Sequence, residues 1–174
     1  MKILFLSRWF PEPADNGSKV RILNLLRGLA RHHEVTLLSF SDQPEVSWEA
    51  KQVQSLCTES HIIPWREFNT NSARATLGFL SLSPRWLVDT FSQEMADEIS
   101  RQLNGKKYDL VIASQLPMAA YYPYFRGVPA IFEEMELGLY MDDLQRSAHW
   151  IQHLRRRFAW FKLRVYLSRL LKHI

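Results

Sequence analysis

Within its first forty residues the chain passes from strand to helix to strand, and that order constrains the fold more than any other feature. Lys2–Ser7 is a continuous apolar run, as expected of a strand buried on both faces of a parallel sheet. Ser18–Arg31 places Val20, Leu23 and Leu26 at helical spacing, with Ile22, Leu25, Leu29 and Ala30 beside them, which gives a wide buried stripe. Glu34–Phe40 is β-branched and apolar, a second strand. Strand, helix and strand in some 40 residues form a right-handed βαβ unit and a parallel sheet. The expectation is an α/β, Rossmann-like three-layer α/β/α fold with a mainly parallel sheet.

Further along, Val46–Cys57 reads as helix and His61–Pro64 as a short strand. Ser72–Leu82 and Trp86–Thr90 read as helical on either side of Pro84, and Gln93–Leu103 as a helix stopped by Asn104-Gly105. Tyr108–Ala113 is a buried strand. Pro117–Phe125 is a short helix interrupted by Pro123, and residues 127–133 form a strand whose Pro129 suits an edge. Trp150–Ile174 is one long basic amphipathic helix. The expected organisation is a Rossmann-like domain over residues 1–149 and a helix over 150–174.

Charge is divided unevenly along the chain. Residues 144–174 carry eight of the 22 Lys and Arg and no acid, while all 18 acids precede them. The basic character therefore belongs to the tail, which argues against nucleic acid as a partner of the whole domain. The single cysteine, Cys57, cannot form an intrachain disulfide and reads as a core residue. The N-terminal apolar stretch is too short for a signal peptide, and no run approaches the ~18 apolar residues of a spanning helix, so the expected location is cytoplasmic. The six histidines are scattered and suggest no metal site.

The chemistry-bearing segment is the turn Arg8–Ser18. A strand ending in a loop that opens a helix brings backbone N–H groups and the positive end of the helix dipole to the carboxyl edge of a sheet. Gly17 lets a phosphate or sugar approach the backbone, Asn16 or Ser18 can cap, and Arg21 lies one turn in, within reach of an anion. An ordinary βα loop with a glycine at its cap has the same composition. Neither Gly-x-Gly-x-x-Gly nor Gly-x-x-x-x-Gly-Lys-Ser/Thr occurs, which demotes a nicotinamide-dependent oxidoreductase and a P-loop NTPase. Ser114 and Gln115 end the Tyr108 strand at the same edge. They can hydrogen-bond a hydroxyl, or Ser114 can cap the next helix. Glu133, Glu134 and Glu136 follow the apolar Ala130–Phe132. Alternation puts Glu134 and Glu136 on one side and Glu133 on the other, and a solvated loop is the alternative to a functional site.

The Lys-Ile-Leu-Phe-Leu-Ser opening, the Pro-rich turn, Asn16-Gly17-Ser18 with Arg21, Asn24–Ala30 and His33–Leu37 together resemble the start of family 4 glycosyltransferases. The resemblance is to the sugar transferases of bacterial exopolysaccharide biosynthesis. It implies a retaining enzyme of GT-B architecture, with two Rossmann-like domains across a cleft, of which this chain is the N-terminal, acceptor-side half. The implied reaction moves a sugar from a nucleotide-diphosphate sugar to a glycan or lipid-linked acceptor, without a metal or other cofactor. Such enzymes carry Gly-Gly in the first loop where this chain has Asn16-Gly17, and many place a histidine near Ser114 and Gln115. The resemblance implies substrate contacts at Asn16, Gly17, Ser18, Arg21, Ser114, Gln115, Glu134 and Glu136. It also implies a partner in a C-terminal donor-binding domain lying beyond Ile174, since no Glu-x7-Glu follows a late strand here, and hence little turnover by this segment alone.

The terminal helix carries two apolar stripes. Trp150, Leu154, Phe158, Phe161 and Val165 form one; Leu163, Leu167, Leu170 and Ile174 form another, nearly opposite. Two such stripes predict burial on two sides, against the sheet and against further structure. Arg155-Arg156-Arg157, Lys162, Arg164, Arg169 and Lys172, with Trp150, Trp160 and Phe161, also suit peripheral contact with an anionic membrane. A non-catalytic Rossmann-like scaffold that docks through this helix is the alternative function.

Overall fold

The computed structural model describes residues 1–42, 51–133 and 150–172. Five strands form one all-parallel sheet: β1 (Lys2–Ser7), β2 (Glu34–Ser41), β3 (Glu59–Pro64), β4 (Leu110–Ser114) and β5 (Ala130–Glu133), in the order β3-β2-β1-β4-β5. That is a Rossmann-like order, with the direction of winding reversing between β1 and β4. The chain is α/β with helices flanking the sheet, as its opening residues predict.

Strand alternation explains why both faces are filled. Ile3 and Phe5 of β1 stand beside Val35 and Leu37 of β2, and Phe5 beside Ile112 of β4. These join Ile22 and Leu26 of α1 (Gly17–Leu29) and Val53 of α2 (Lys51–Leu56) in one buried cluster. Leu4, Leu6, Leu38, Phe40, Val111 and Ala113 point to the opposite face and are equally buried. There Tyr121 lies 6.3 Å from Phe40, ring centre to ring centre. Its hydroxyl accepts from the Ser92 N–H (2.9 Å) at the start of α5 (Gln93–Gly105). Cys57 lies in the first cluster, where burial pushes its thiol pKa up to about 11.

Several elements depart from expectation for local reasons. The Gly-terminated stop at Asn104-Gly105 does not occur: Gly105 is the last residue of α5, and the chain leaves extended at Lys106, whose N–H returns to Gln102 O (2.9 Å). Pro123 does not interrupt a helix. The break falls at Ala120–Tyr121, between α6 (Leu116–Ala119) and α7 (Tyr122–Phe125), and Pro123 sits in the first turn of α7, where its missing N–H costs nothing. Tyr108 lies outside β4; its buried hydroxyl is 3.1 Å from Thr36 Oγ1 and 2.9 Å from Gln102 Oε1. Of the helix expected over Val46–Cys57, residues 46–50 lie outside the described residues, as do residues 134–149.

The chain divides into two compact units. One unit holds the sheet, from Met1–Arg66 and Ser92–Glu134; the other comprises Glu67–Phe91 and Met135–Ile174. The second unit contains α3 (Ala73–Leu77), α4 (Arg85–Thr90) and α8 (Trp150–Leu170). Polar contacts from its own side chains fold the first of its two segments. The fully buried Asp89 accepts from the Asn69 N–H (2.8 Å) and from Ser72 Oγ. Arg85 donates to Ala75 O (2.8 Å) and Thr70 O (3.0 Å). Helix ends after Leu77 instead of running to Leu82, and Gly78 packs so closely that a Cβ there would lie 3.1 Å from both Ala75 O and Arg85 Cα. On α8, Leu163, Leu167 and Leu170 are buried. Of the other stripe, Trp150, Leu154, Phe158 and Phe161 are 50–76% exposed and Val165 is partly buried.

Candidate functional site at the sheet switch point

The carboxyl ends of β1 and β4 meet where the winding of the sheet reverses, the position at which open α/β sheets form a crevice. Five of the eight residues expected at a substrate site are gathered around it at the end of β4 and the start of α1: Gly17, Ser18, Arg21, Ser114 and, just past β4, Gln115. Asn16 caps α1 from an extended backbone, its Oδ1 accepting from the Lys19 N–H (3.0 Å). A Cβ on Gly17 would meet nothing within 4 Å, so space is open beside the first turn of the helix. Glu134 and Glu136 lie outside the described residues.

Polar side chains tie this edge together. Arg21 Nε is ion-paired with Glu133 Oε1, and Ser114 Oγ donates to Glu133 Oε2 (2.6 Å). The Arg21 side chain is 54% exposed and Glu133 only 15%, so one carboxylate at the end of β5 holds a solvent-facing cation on one oxygen and a buried hydroxyl on the other. Ser114 does not cap the following helix; it is the fully buried last residue of β4, and Gln115 takes the N-cap position without a side-chain cap bond. Gln115 is the one non-glycine with positive φ among the described residues (φ 68°, ψ 153°), a conformation that L side chains rarely adopt. Its N–H donates to Glu133 O (2.9 Å), and its Oε1 accepts from the Arg8 N–H (2.9 Å). One strained residue thus links the ends of β1, β4 and β5.

Arg8, which leaves β1, is the second organising residue. Its guanidinium lies 4.0 Å from the Trp9 ring and 3.7 Å from the Trp65 ring, and Nη2 pairs with Asp42 Oδ1 at 2.9 Å. Beneath it, Ser7 Oγ donates to Trp9 O (3.0 Å) and lies 2.9 Å from Ser39 Oγ. Beside the helix start, Asp15 pairs with Lys19 (2.8 Å), whose hydrogen bond holds the Asp15 carboxyl below its usual range. Charge at the edge is therefore internally compensated. Arg21, expected to meet a ligand anion directly, is engaged by Glu133, and an incoming anion must compete with that carboxylate.

The sequence points to the strand ends and the helix start, but not to Glu133, Arg8 or the strain at Gln115. For Arg8, the signal is a cation placed immediately after the apolar Lys2–Ser7 run. Glu133 had to be chosen from three neighbouring acids, and its partner Arg21 is 112 residues away. Among the described residues, no cluster of His, Cys, Asp and Glu has the arrangement of a metal site, and no helix is long and apolar enough to cross a membrane.

No family model and no curated protein matches the chain. Among solved structures, it is similar to the crystal structure of the C-terminal domain (residues 78–226) of a hydrogenase from Pyrococcus furiosus. The two share 15% identity with a TM-score of 0.48, over 76% of this chain and 90% of that one. The α/β fold stands on the strand order and register described above.

Proposed function

We propose that this chain is the acceptor-side domain of a retaining glycosyltransferase that uses a nucleotide-diphosphate sugar and passes the sugar to a glycan or lipid-linked acceptor. The observation that carries the reading is the set of hydrogen-bonding groups at the switch point: the open first turn of α1 at Gly17, Arg21 paired with Glu133, and Ser114 on the same carboxylate. A helix N-terminus with a nearby guanidinium suits a diphosphate, whose negative charge can take the place of Glu133 at Arg21. Released from Arg21, Glu133 is a carboxylate able to accept from a sugar hydroxyl. In this reading Glu133 takes the acceptor-orienting part that the sequence alone assigns to Glu134 and Glu136. The domain's contribution is positioning and electrostatic support of the departing diphosphate.

The test is a backbone-amide NMR titration of the 174-residue chain with UDP-glucose and, separately, GDP-mannose. The expected result is millimolar binding by one of them, with shifts concentrated at residues 16–21 and 114–115, and loss of those shifts in Arg21→Gln. Shifts scattered over the surface, or none up to 10 mM of either nucleotide sugar, overturn the proposal.

A second reading, a non-catalytic scaffold that docks through α8 on a partner or an anionic membrane, draws support from the exposed stripe of Trp150, Leu154, Phe158 and Phe161. Co-sedimentation with phosphatidylglycerol vesicles that persists in Arg21→Gln and is lost in Trp150→Ser/Leu154→Ser favours it.

A further inference from the structure

The unit formed by Glu67–Phe91 and Met135–Ile174 holds a cavity of about 670 Å³, large enough for a small organic molecule. Phe79, Trp86, Phe158 and Trp160 give it an aromatic wall. Phe79 and Phe158 are each about half exposed, so solvent reaches the cavity along those two rings. Lys162 lines the same cavity and is itself only 5% exposed. It stands one turn beyond Phe158 on α8, a spacing that puts both side chains on one face of the helix.

Backbone carbonyls hold the Lys162 amine in place. Nζ donates to Gly78 O (2.8 Å) and Phe79 O (2.9 Å) and lies 5.0 Å from the centre of the Phe158 ring. An ammonium has three N–H donors, whereas a neutral amine has two N–H groups and a lone pair. Two carbonyls therefore satisfy every donor of the neutral form and leave its lone pair for an electrophile. Burial, and secondly the charge of Arg85, lower the Lys162 pKa and shift the balance toward that form. A desolvated lysine beside a second cation is an arrangement that makes an amine nucleophilic near neutral pH.

We propose that Lys162 is a carbonyl-reactive amine that captures a small aromatic aldehyde as an imine, with the aldehyde's ring against the aromatic wall beside Phe158. Nζ forms a bond to the carbonyl carbon, the carbonyl oxygen leaves as water with the two N–H protons, and a C=N bond remains, with no net oxidation or reduction. Protonated, the imine keeps one N–H, which one of the two backbone carbonyls accepts. The site belongs to the second unit alone and does not depend on the transferase reading. A nucleotide sugar that fails to bind at the switch point leaves it standing.

The experiment incubates the 174-residue chain with benzaldehyde at pH 7 and traps each imine with sodium cyanoborohydride, which reduces it to a stable benzylamine. Peptide mass spectrometry then gives the labelling rate at every lysine. Glycolaldehyde, small and polar, is the probe of amine reactivity without the aromatic wall. With benzaldehyde, Lys162 is expected to label at least tenfold faster than the exposed Lys107, and with glycolaldehyde that preference is expected to fall at least fivefold. Phe158→Ala is expected to slow benzaldehyde at Lys162 at least threefold and leave Lys107 unchanged, with circular dichroism confirming that the variant is folded. Because the wild-type chain carries the main comparison, no replacement of Lys162 itself is needed. Benzaldehyde labelling at Lys162 no faster than at Lys107 overturns the proposal, as does an equal preference for Lys162 with both aldehydes.

Discussion

Replacing Gln115 by glycine and by alanine should invert the usual stability order of those two residues. At an unstrained position glycine is the poorer choice by roughly 0.5–1 kcal/mol, because it loses more conformational freedom on folding. Gln115 sits at φ 68°, where a side chain costs of order 1–3 kcal/mol. Alanine keeps that strain and glycine removes it. Both substitutions delete the Oε1 that accepts from the Arg8 N–H, a buried bond whose loss costs about 1–3 kcal/mol in either variant and cancels from the comparison. The difference that remains is strain relief less glycine's entropy, about 1 kcal/mol in favour of glycine. Urea unfolding followed by tryptophan fluorescence reads it directly, and thermal unfolding should place the glycine variant about 2–4 °C above the alanine variant. An alanine variant as stable as the glycine variant, or more so, refutes the reasoning, since it means that residue 115 is not held in the left-handed half of conformational space.

Glu133→Ala removes both the acceptor for the buried Ser114 hydroxyl and the partner of Arg21. It should cost about 2 kcal/mol, mostly through Ser114 because the half-exposed Arg21 pair contributes at most about 1 kcal/mol. A double-mutant cycle with Ser114→Ala should show coupling near 1 kcal/mol in chemical denaturation. Cys57, with its thiol pushed up to about 11 from 9.0, should react with Ellman's reagent at pH 8 about 100-fold more slowly than in unfolded chain. Because the folded pKa is the higher one, stability should be unaffected by this thiol below pH 9 and fall between pH 9 and 11, a loss that Cys57→Ala abolishes in urea midpoints. Gly28→Ala on α1, where a Cβ meets nothing within 4 Å, should stabilise by about 0.5–1 kcal/mol. Gly78→Ala, which drives a Cβ to 3.1 Å from two backbone atoms, should destabilise, and paired melting curves compare the two.

What the sequence discloses follows the range of the forces involved. β1, α1 and β2 are legible because a doubly buried strand must be apolar throughout and a helix against a sheet must repeat every third or fourth residue. Those rules act within a few residues. In the second unit, α3 and α4 read as helical from sequence, but their ends are set by Asp89, Ser72 and Arg85 bonding to particular groups, which leaves no periodic trace. The candidate site divides the same way. Asn16, Gly17 and Arg21 announce themselves beside a strand-to-helix turn. Glu133 matters through Arg21 and Ser114, partners that only the sheet brings near it. The strain at Gln115 has no local sequence cause, since Ser114-Gln115-Leu116-Pro117 is compatible with ordinary backbone. It arises because one residue must serve the ends of three strands.

The insertion of Glu67–Phe91 between β3 and α5 sets an order of events during synthesis. Every strand of the sheet has been made once Glu133 leaves the ribosome, whereas α8 begins at Trp150 and ends at Leu170. At about 5–20 residues per second, Glu67–Phe91 waits a few seconds for that helix after the sheet can close. Throughout that interval the carbonyls of Gly78 and Phe79 lack the amine of Lys162, and Leu77, Phe79, Leu80 and Leu82, exposed even in the finished chain, stand open to other nascent chains. A chaperone that recognises short apolar segments would find its target in Leu77–Leu82 during that wait.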